Sequence, residues 1–168
     1  MTKHTLVIIR GPVGVGKTAI SNILTKKINA KYFSLDKLLK KEKLDRFDPK
    51  EGCVPAANFL MLQEQILPEI QKHLERQDVI VSGSFYHGSQ LEFFQKNIHS
   101  NMLLITMKAT LETCIKRNSK EEIRLGENMV RAIYNLVSRF DVGTIIDVEE
   151  KPKYQIVDRI EGVLKRMR

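Results

Sequence analysis

Leu6-Val7-Ile8-Ile9, followed one residue later by Gly11-Pro12-Val13-Gly14-Val15-Gly16-Lys17-Thr18, decides how this chain folds. The first four residues are a continuous apolar run, the mark of a strand buried on both faces. The next eight fit the pattern G-x-x-x-x-G-K-[ST] in full. After them Ala19, Ile20, Ile23, Leu24 and Ile28 recur at helical spacing. Strand, glycine-rich turn and helix stand in the order that gives the pattern physical meaning. The glycines let the backbone approach an anion closely. Successive N–H groups turn inward as a nest, and the positive end of the helix dipole adds to it. The loop at 11–18 is thus expected to cradle the phosphates of ATP, with Lys17 on the β- and γ-phosphates and the Thr18 hydroxyl on Mg²⁺. The bland alternative is a glycine-rich turn that binds nothing.

Outward from this loop the chain alternates strands and helices. Further strands are expected at 32–35, ending at Asp36, and at 79–81, 102–105 and 144–146. Pro55 opens a helix with Phe59, Leu62, Ile66, Ile70 and Leu74 on its apolar face, and Pro68 is expected to kink or split it. Shorter helical patterns run through Leu91, Phe94 and Ile98, then through Leu111, Cys114 and Ile115. Val130, Ile133, Val137 and Phe140 give another, and Pro152 opens a last one through Ile156, Ile160, Val163 and Met167. Such alternation implies an α/β fold: a parallel sheet with helices on both faces and right-handed crossovers. With no internal repeat or interdomain linker, residues 1–168 read as one domain.

Composition sets the outer limits. Hydrophobic residues are 42% of the 168, enough for a packed core. No apolar run approaches the roughly 20 residues that span a bilayer, so no membrane partner is expected. The start of the chain lacks a signal pattern, and a cytoplasmic location is expected. Two distant cysteines, Cys53 and Cys114, suggest neither a disulfide framework nor a zinc site. The net charge of +8 favours polyanionic partners and keeps nucleic acid among them. Solvated lysine-rich faces such as Lys37, Lys40, Lys41 and Lys43 explain the same charge without a partner.

Beyond the loop, four features narrow the class: Asp36 after the second strand, Gly83-Ser84-Phe85-Tyr86 after the third, and Arg117 with Arg124 after the fourth. With them the chain resembles the nucleoside-monophosphate-kinase-like group of P-loop proteins. Within that group it is most similar to small hydroxyl kinases: the phage polynucleotide kinase domain, seryl-tRNA kinases, zeta toxins and chloramphenicol phosphotransferases. The resemblance implies a five-stranded sheet ordered 2-3-1-4-5, a mobile lid at about 118–126, and transfer of the γ-phosphoryl group of ATP to an alcohol. It implies that Asp36 faces the acceptor hydroxyl, that Arg117 packs near the adenine or α-phosphate, and that Arg124 reaches the transferred group.

Each of these residues has a second reading. Asp36 can act as general base, hold a magnesium-bound water, or simply cap the helix after it. Arg117 and Arg124 can stabilise phosphoryl transfer or sit solvated on a charged loop. Arg131 and Arg139 on the following helix stand further from any assignment. Phe85, Tyr86 and His87 can stack on an acceptor or belong to the core. The segment 45–58 is expected to form part of the acceptor pocket. The third strand ends without the acid that many P-loop enzymes place there, and Asp78 precedes it at the opposite edge of the sheet. Ser82 or Ser84 can substitute or merely cap the strand. The missing acid weakens a motor ATPase, and the absence of Asn-Lys-x-Asp weakens a GTPase. The remaining alternative to a kinase is an ATP-binding or ATP-hydrolysing regulatory module without an acceptor.

Overall fold

The computed structural model describes residues 3–122 and 124–168. In chain order the elements are β1 (Thr5–Arg10), α1 (Lys17–Ile28), β2 (Lys31–Ser34), α2 (Leu35–Lys41), α3 (Ala56–Leu74), β3 (Val79–Gly83), α4 (Gly88–Asn97), β4 (Asn101–Lys108), α5 (Leu111–Ser119), α6 (Glu127–Val137), β5 (Thr144–Asp147) and α7 (Lys153–Met167). The five strands form one parallel sheet ordered β2-β3-β1-β4-β5, the order the resemblance implies.

β1 lies at the centre, paired with β3 and β4, and its side chains alternate between two cores. Leu6 and Ile8 join Phe59, Leu62 and Ile70 of α3 and Phe94 of α4 on one face. Val7 and Ile9 join Ile20 and Leu24 of α1 and Ile156 and Ile160 of α7 on the other. All four aliphatics are fully enclosed, each contributing roughly 1.5–3 kcal/mol of burial. This double burial is why the strand reads as an unbroken apolar run.

Two local expectations change. Helix α3 runs unbroken for 19 residues with Pro68 inside it. Pro68 is exposed, so the carbonyl deprived of its partner faces water, while Ile66 and Ile70 hold the buried side in place. The second strand stops at Ser34, so Asp36 lies in the first turn of α2 rather than at the strand tip. Ser34 is the cap of that helix, its hydroxyl accepting from Lys37 N at 3.4 Å.

Candidate functional site

The loop at 11–18 sits where β1 hands over to α1. Gly14 has φ +84° and Gly16 φ +104°, a region that favours glycine. At Gly14 space as well as conformation excludes a side chain, because a Cβ would stand 2.2 Å from the Cys114 carbonyl oxygen of α5. Lys17 is buried and its ammonium folds back, Nζ donating to Gly11 O at 2.8 Å and Pro12 O at 2.9 Å. Burial holds this ammonium below the ordinary lysine range. The nearby charge of Asp36 opposes that shift, and Arg10 adds to it. Among the described residues, both hydrogen bonds of this ammonium go to carbonyl oxygens. Thr18, one residue on, is exposed at the start of α1.

Arg117 stands over the loop, donating from Nη1 to Val15 O at 3.1 Å. Glu149, in the turn after β5, accepts from Thr110 N at 2.9 Å and from the Thr113 hydroxyl at the start of α5. Those two hydrogen bonds, ahead of the charge of Arg117, hold its carboxyl below the usual glutamate range. Sequence reasoning missed Glu149, which carries no local signal. Arg124 is exposed and donates from Nη1 to Ser119 O at 3.0 Å. Arg131 is engaged on its own helix with Glu127 at 2.7 Å, and Arg139 is exposed beyond α6.

The described residues of 118–126, the stretch expected to form a lid, are less free of anchors than their polarity suggests. Residues 118 and 119 complete α5, and Asn118 is buried. Its amide donates to Leu125 O at 2.7 Å and accepts from Leu125 N at 3.2 Å, closing the segment on itself. Ile123, within that segment, lies outside the described residues.

Asp36 is exposed, and its charge acts on both Lys17 and the Tyr86 hydroxyl. Phe85 and Tyr86 are buried. Tyr86 packs edge-on against Phe59 at 5.4 Å and His87 at 4.8 Å. The Tyr86 hydroxyl accepts from Val54 N at 3.0 Å. Burial, the first cause, pushes that phenol above its ordinary range. The His87 ring sits 2.8 Å from Val54 O through Nε2, which must be the donor because a carbonyl only accepts. His87 also forms a reciprocal capping box with Gln90 at the start of α4. These residues therefore fasten the loop before α3 to the segment after β3; Phe85 and Tyr86 present little free surface for stacking, while His87 is partly exposed.

Near the end of β3 lies buried Ser82, whose hydroxyl meets the Tyr32 hydroxyl at 2.6 Å, and buried Ser84 follows the strand. Asp78 sits at the opposite edge, accepting from Thr5 N at 2.8 Å and paired with Arg168. Among the described residues no group of three or more His, Cys, Asp or Glu could hold a metal ion. The oxygens available near the loop, Thr18 and Asp36, fit a cation that arrives already bound to phosphates, not one caged by protein.

A central parallel sheet, a complete phosphate loop and this strand order define the P-loop kinase fold. The sequence belongs to the family described as chromatin associated protein KTI12, whose family model matches residues 4–158. No curated protein sequence matches it. Among solved structures it is similar to a gluconokinase from Sinorhizobium meliloti 1021, with 14% identity, a TM-score of 0.71, and 97% of this chain and 93% of that one covered. It is similar to a shikimate kinase from Acinetobacter baumannii in complex with shikimate, with 14% identity, a TM-score of 0.69, and coverage of 99% and 96%. The thymidylate kinase of Candida albicans matches with 16% identity, a TM-score of 0.67, and coverage of 97% and 92%. At such identities the likeness is one of fold.

Proposed function

We propose that this protein is an ATP-dependent kinase that transfers the γ-phosphoryl group to a hydroxyl of a small molecule, nucleotide or RNA, as the small hydroxyl kinases it resembles do. The observation that carries the reading is the buried Lys17 ammonium, held by two carbonyls inside a complete phosphate loop, with the Asp36 carboxylate acting on it from outside. Lys17 leaves Gly11 O and Pro12 O for the phosphates, and the unpartnered N–H groups at the start of α1 complete the cradle. Arg117 holds the nucleotide over the loop. Asp36 receives the proton of the acceptor hydroxyl as its oxygen bonds to phosphorus. Arg124 swings from Ser119 O towards the transferred group as residues 118–126 close and exclude water. Magnesium, when bound beside Thr18 and Asp36, supplies neutralisation of charge on the phosphates. Residues 1–168 act as one domain, and the free thiols Cys53 and Cys114 suit a reducing cytoplasm.

A second reading follows from the family description, which speaks of chromatin association and not catalysis, and from the absence of an acid on β3. It is an ATP-binding or ATP-hydrolysing regulatory module with no phosphoryl acceptor. One experiment separates the two. The protein is incubated with γ-labelled ATP, Mg²⁺ and a panel of nucleosides, nucleotides, sugar acids, shikimate and 5′-hydroxyl RNA. Label on an acceptor is the expected result. Free phosphate alone, or ATP that is bound in a titration but untouched across the panel, selects the second reading, and ATP neither bound nor consumed removes both.

A further inference from the structure

Arg10 ends β1, and its side chain is wholly enclosed, yet the scheme above makes no use of it. Among the described residues no ion pair includes it. Asp141, the carboxylate whose charge acts on it, is itself paired with Lys108 at 2.9 Å. The guanidinium is held by three oxygens and a ring. Nε donates to Phe85 O at 3.0 Å, Nη2 to Val137 O at 2.7 Å, and Nη1 to Thr106 Oγ1 at 3.5 Å. Its central carbon lies 4.3 Å from the centroid of the Phe140 ring. Thr106 passes the connection on, donating to Val142 O at 2.7 Å.

A buried guanidinium without a carboxylate carries a large desolvation cost that neutral dipoles and an aromatic face offset only in part. An unbranched apolar side chain would fill the same space at lower cost, so packing does not account for an arginine here. Directed hydrogen bonds do. Phe85 lies at φ +48°, in the left-handed region where a bulky residue is strained, and Arg10 grips its carbonyl. The next two residues, Tyr86 and His87, fasten Val54 from both sides. Val137, gripped by the other arm of the fork, is the last residue of α6, the helix that follows the lid segment. One line of bonds therefore runs from α6 through Arg10 to Phe85, His87 and Val54.

We propose that Arg10 is a positioning residue that locks helix α6 to the acceptor-side loops at 85–87 and 53–54, so that the lid and acceptor sides of the site shift together. The lock stands on geometry alone, while its service to phosphoryl transfer rests on the kinase reading. It also explains why an aromatic, Phe140, follows the end of α6 at helical spacing. The ring covers the guanidinium instead of continuing the helix.

Hydrogen exchange on the full chain, with Arg10→Met and Arg10→Lys, tests the proposal. Without nucleotide, Arg10→Met should speed exchange at least about tenfold at both 85–87 and 137–142, while interior amides of β1 and β4 keep their protection. Arg10→Lys keeps the charge without the fork and should loosen both regions to a smaller degree. Acceleration in one region only, or in neither, overturns the lock. Should Arg10→Met fail to fold, Arg10→Lys with wild-type exchange at both regions overturns it equally. A second arm adds ADP. In the wild type, protection should change at α6 and at 85–87 together, whereas in the variants α6 should respond alone. Identical paired responses in wild type and variants refute the coupling. A wild type that does not bind ADP removes the nucleotide reading, and the first arm still decides the lock.

Discussion

Gly14→Ala should be among the most damaging small substitutions in this protein, and the structure says why. The new Cβ would lie 2.2 Å from the Cys114 carbonyl oxygen, 3.0 Å from its carbon and 3.1 Å from its Cα, all backbone of α5 that no rotamer change can move aside. Left-handed backbone at an alanine costs about 1–2 kcal/mol. Forcing α5 outward adds about 1–3 kcal/mol of overpacking. The sum, roughly 2–5 kcal/mol, is a large share of the roughly 5–15 kcal/mol that holds a domain folded. In a chain of this size each kcal/mol moves Tm by about 2–4 °C, so a drop of about 4–20 °C is expected. Gly16→Ala is the internal control. Its φ is +104°, but the nearest atom to a new Cβ is Arg117 Nη1 at 4.0 Å, so only the backbone term applies. That term alone predicts a drop of about 2–8 °C. Thermal unfolding of both variants, without nucleotide, is the assay. A Gly16→Ala protein as unstable as Gly14→Ala would refute the claim that the phosphate loop is wedged against α5.

Three other outcomes follow. Asp36→Asn should cut turnover strongly and change ATP affinity modestly, with Tm nearly unaffected because Ser34 caps α2; steady-state kinetics beside a melt checks this, and a large Tm loss with normal turnover would return Asp36 to a structural role. Arg124→Ala should lower turnover more than ATP binding, and hydrogen exchange at the described residues of 118–126 should slow when an ATP analogue is added; equal protection with and without analogue, plus full activity of the variant, leaves the lid without support. Burial raises the Cys114 thiol from 9.0 to about 11, so the native state keeps a proton that the unfolded chain releases above pH 9. Its contribution is intact below pH 9 and is lost as pH rises towards 11, by up to about 1.4 kcal/mol per pH unit, and urea titrations of wild type and Cys114→Ala across that range should converge.

What the sequence discloses and what it hides have physical reasons. Central strands such as β1 and β3 are buried on both faces, so they appear as bare apolar runs, and the phosphate loop is contiguous, so its whole geometry is written in eight residues. The resemblance implies the strand order, whereas the register depends on pairing between segments distant in sequence. Contacts between distant segments leave no local trace. Arg10 looks like the polar end of a strand, and only the fold brings Phe85, Val137 and Phe140 around it. Asn118 looks like one more polar lid residue until Leu125 turns back to meet both ends of its amide. Asp36 reads as a cap in the sequence, and the structure gives that place to Ser34, two residues earlier, because β2 ends there. Pro68 fails as a breaker because burial of its neighbours outweighs one exposed, unpaired carbonyl.

The central claim is that Lys17 and its loop hold the phosphates of ATP, and calorimetric titration of a non-hydrolysable magnesium–ATP analogue into wild type and Lys17→Ala tests it most directly. Lys17 spends the nucleotide-free state bonded to Gly11 O and Pro12 O, both of which remain in place when its side chain is cut back, so the variant should stay folded. Hydrogen bonds to charged groups contribute about 1.5–3 kcal/mol. One-to-one binding to the wild type is therefore expected, weakened at least about tenfold in Lys17→Ala. No binding to the wild type, or equal affinity in a folded Lys17→Ala protein, would contradict that claim.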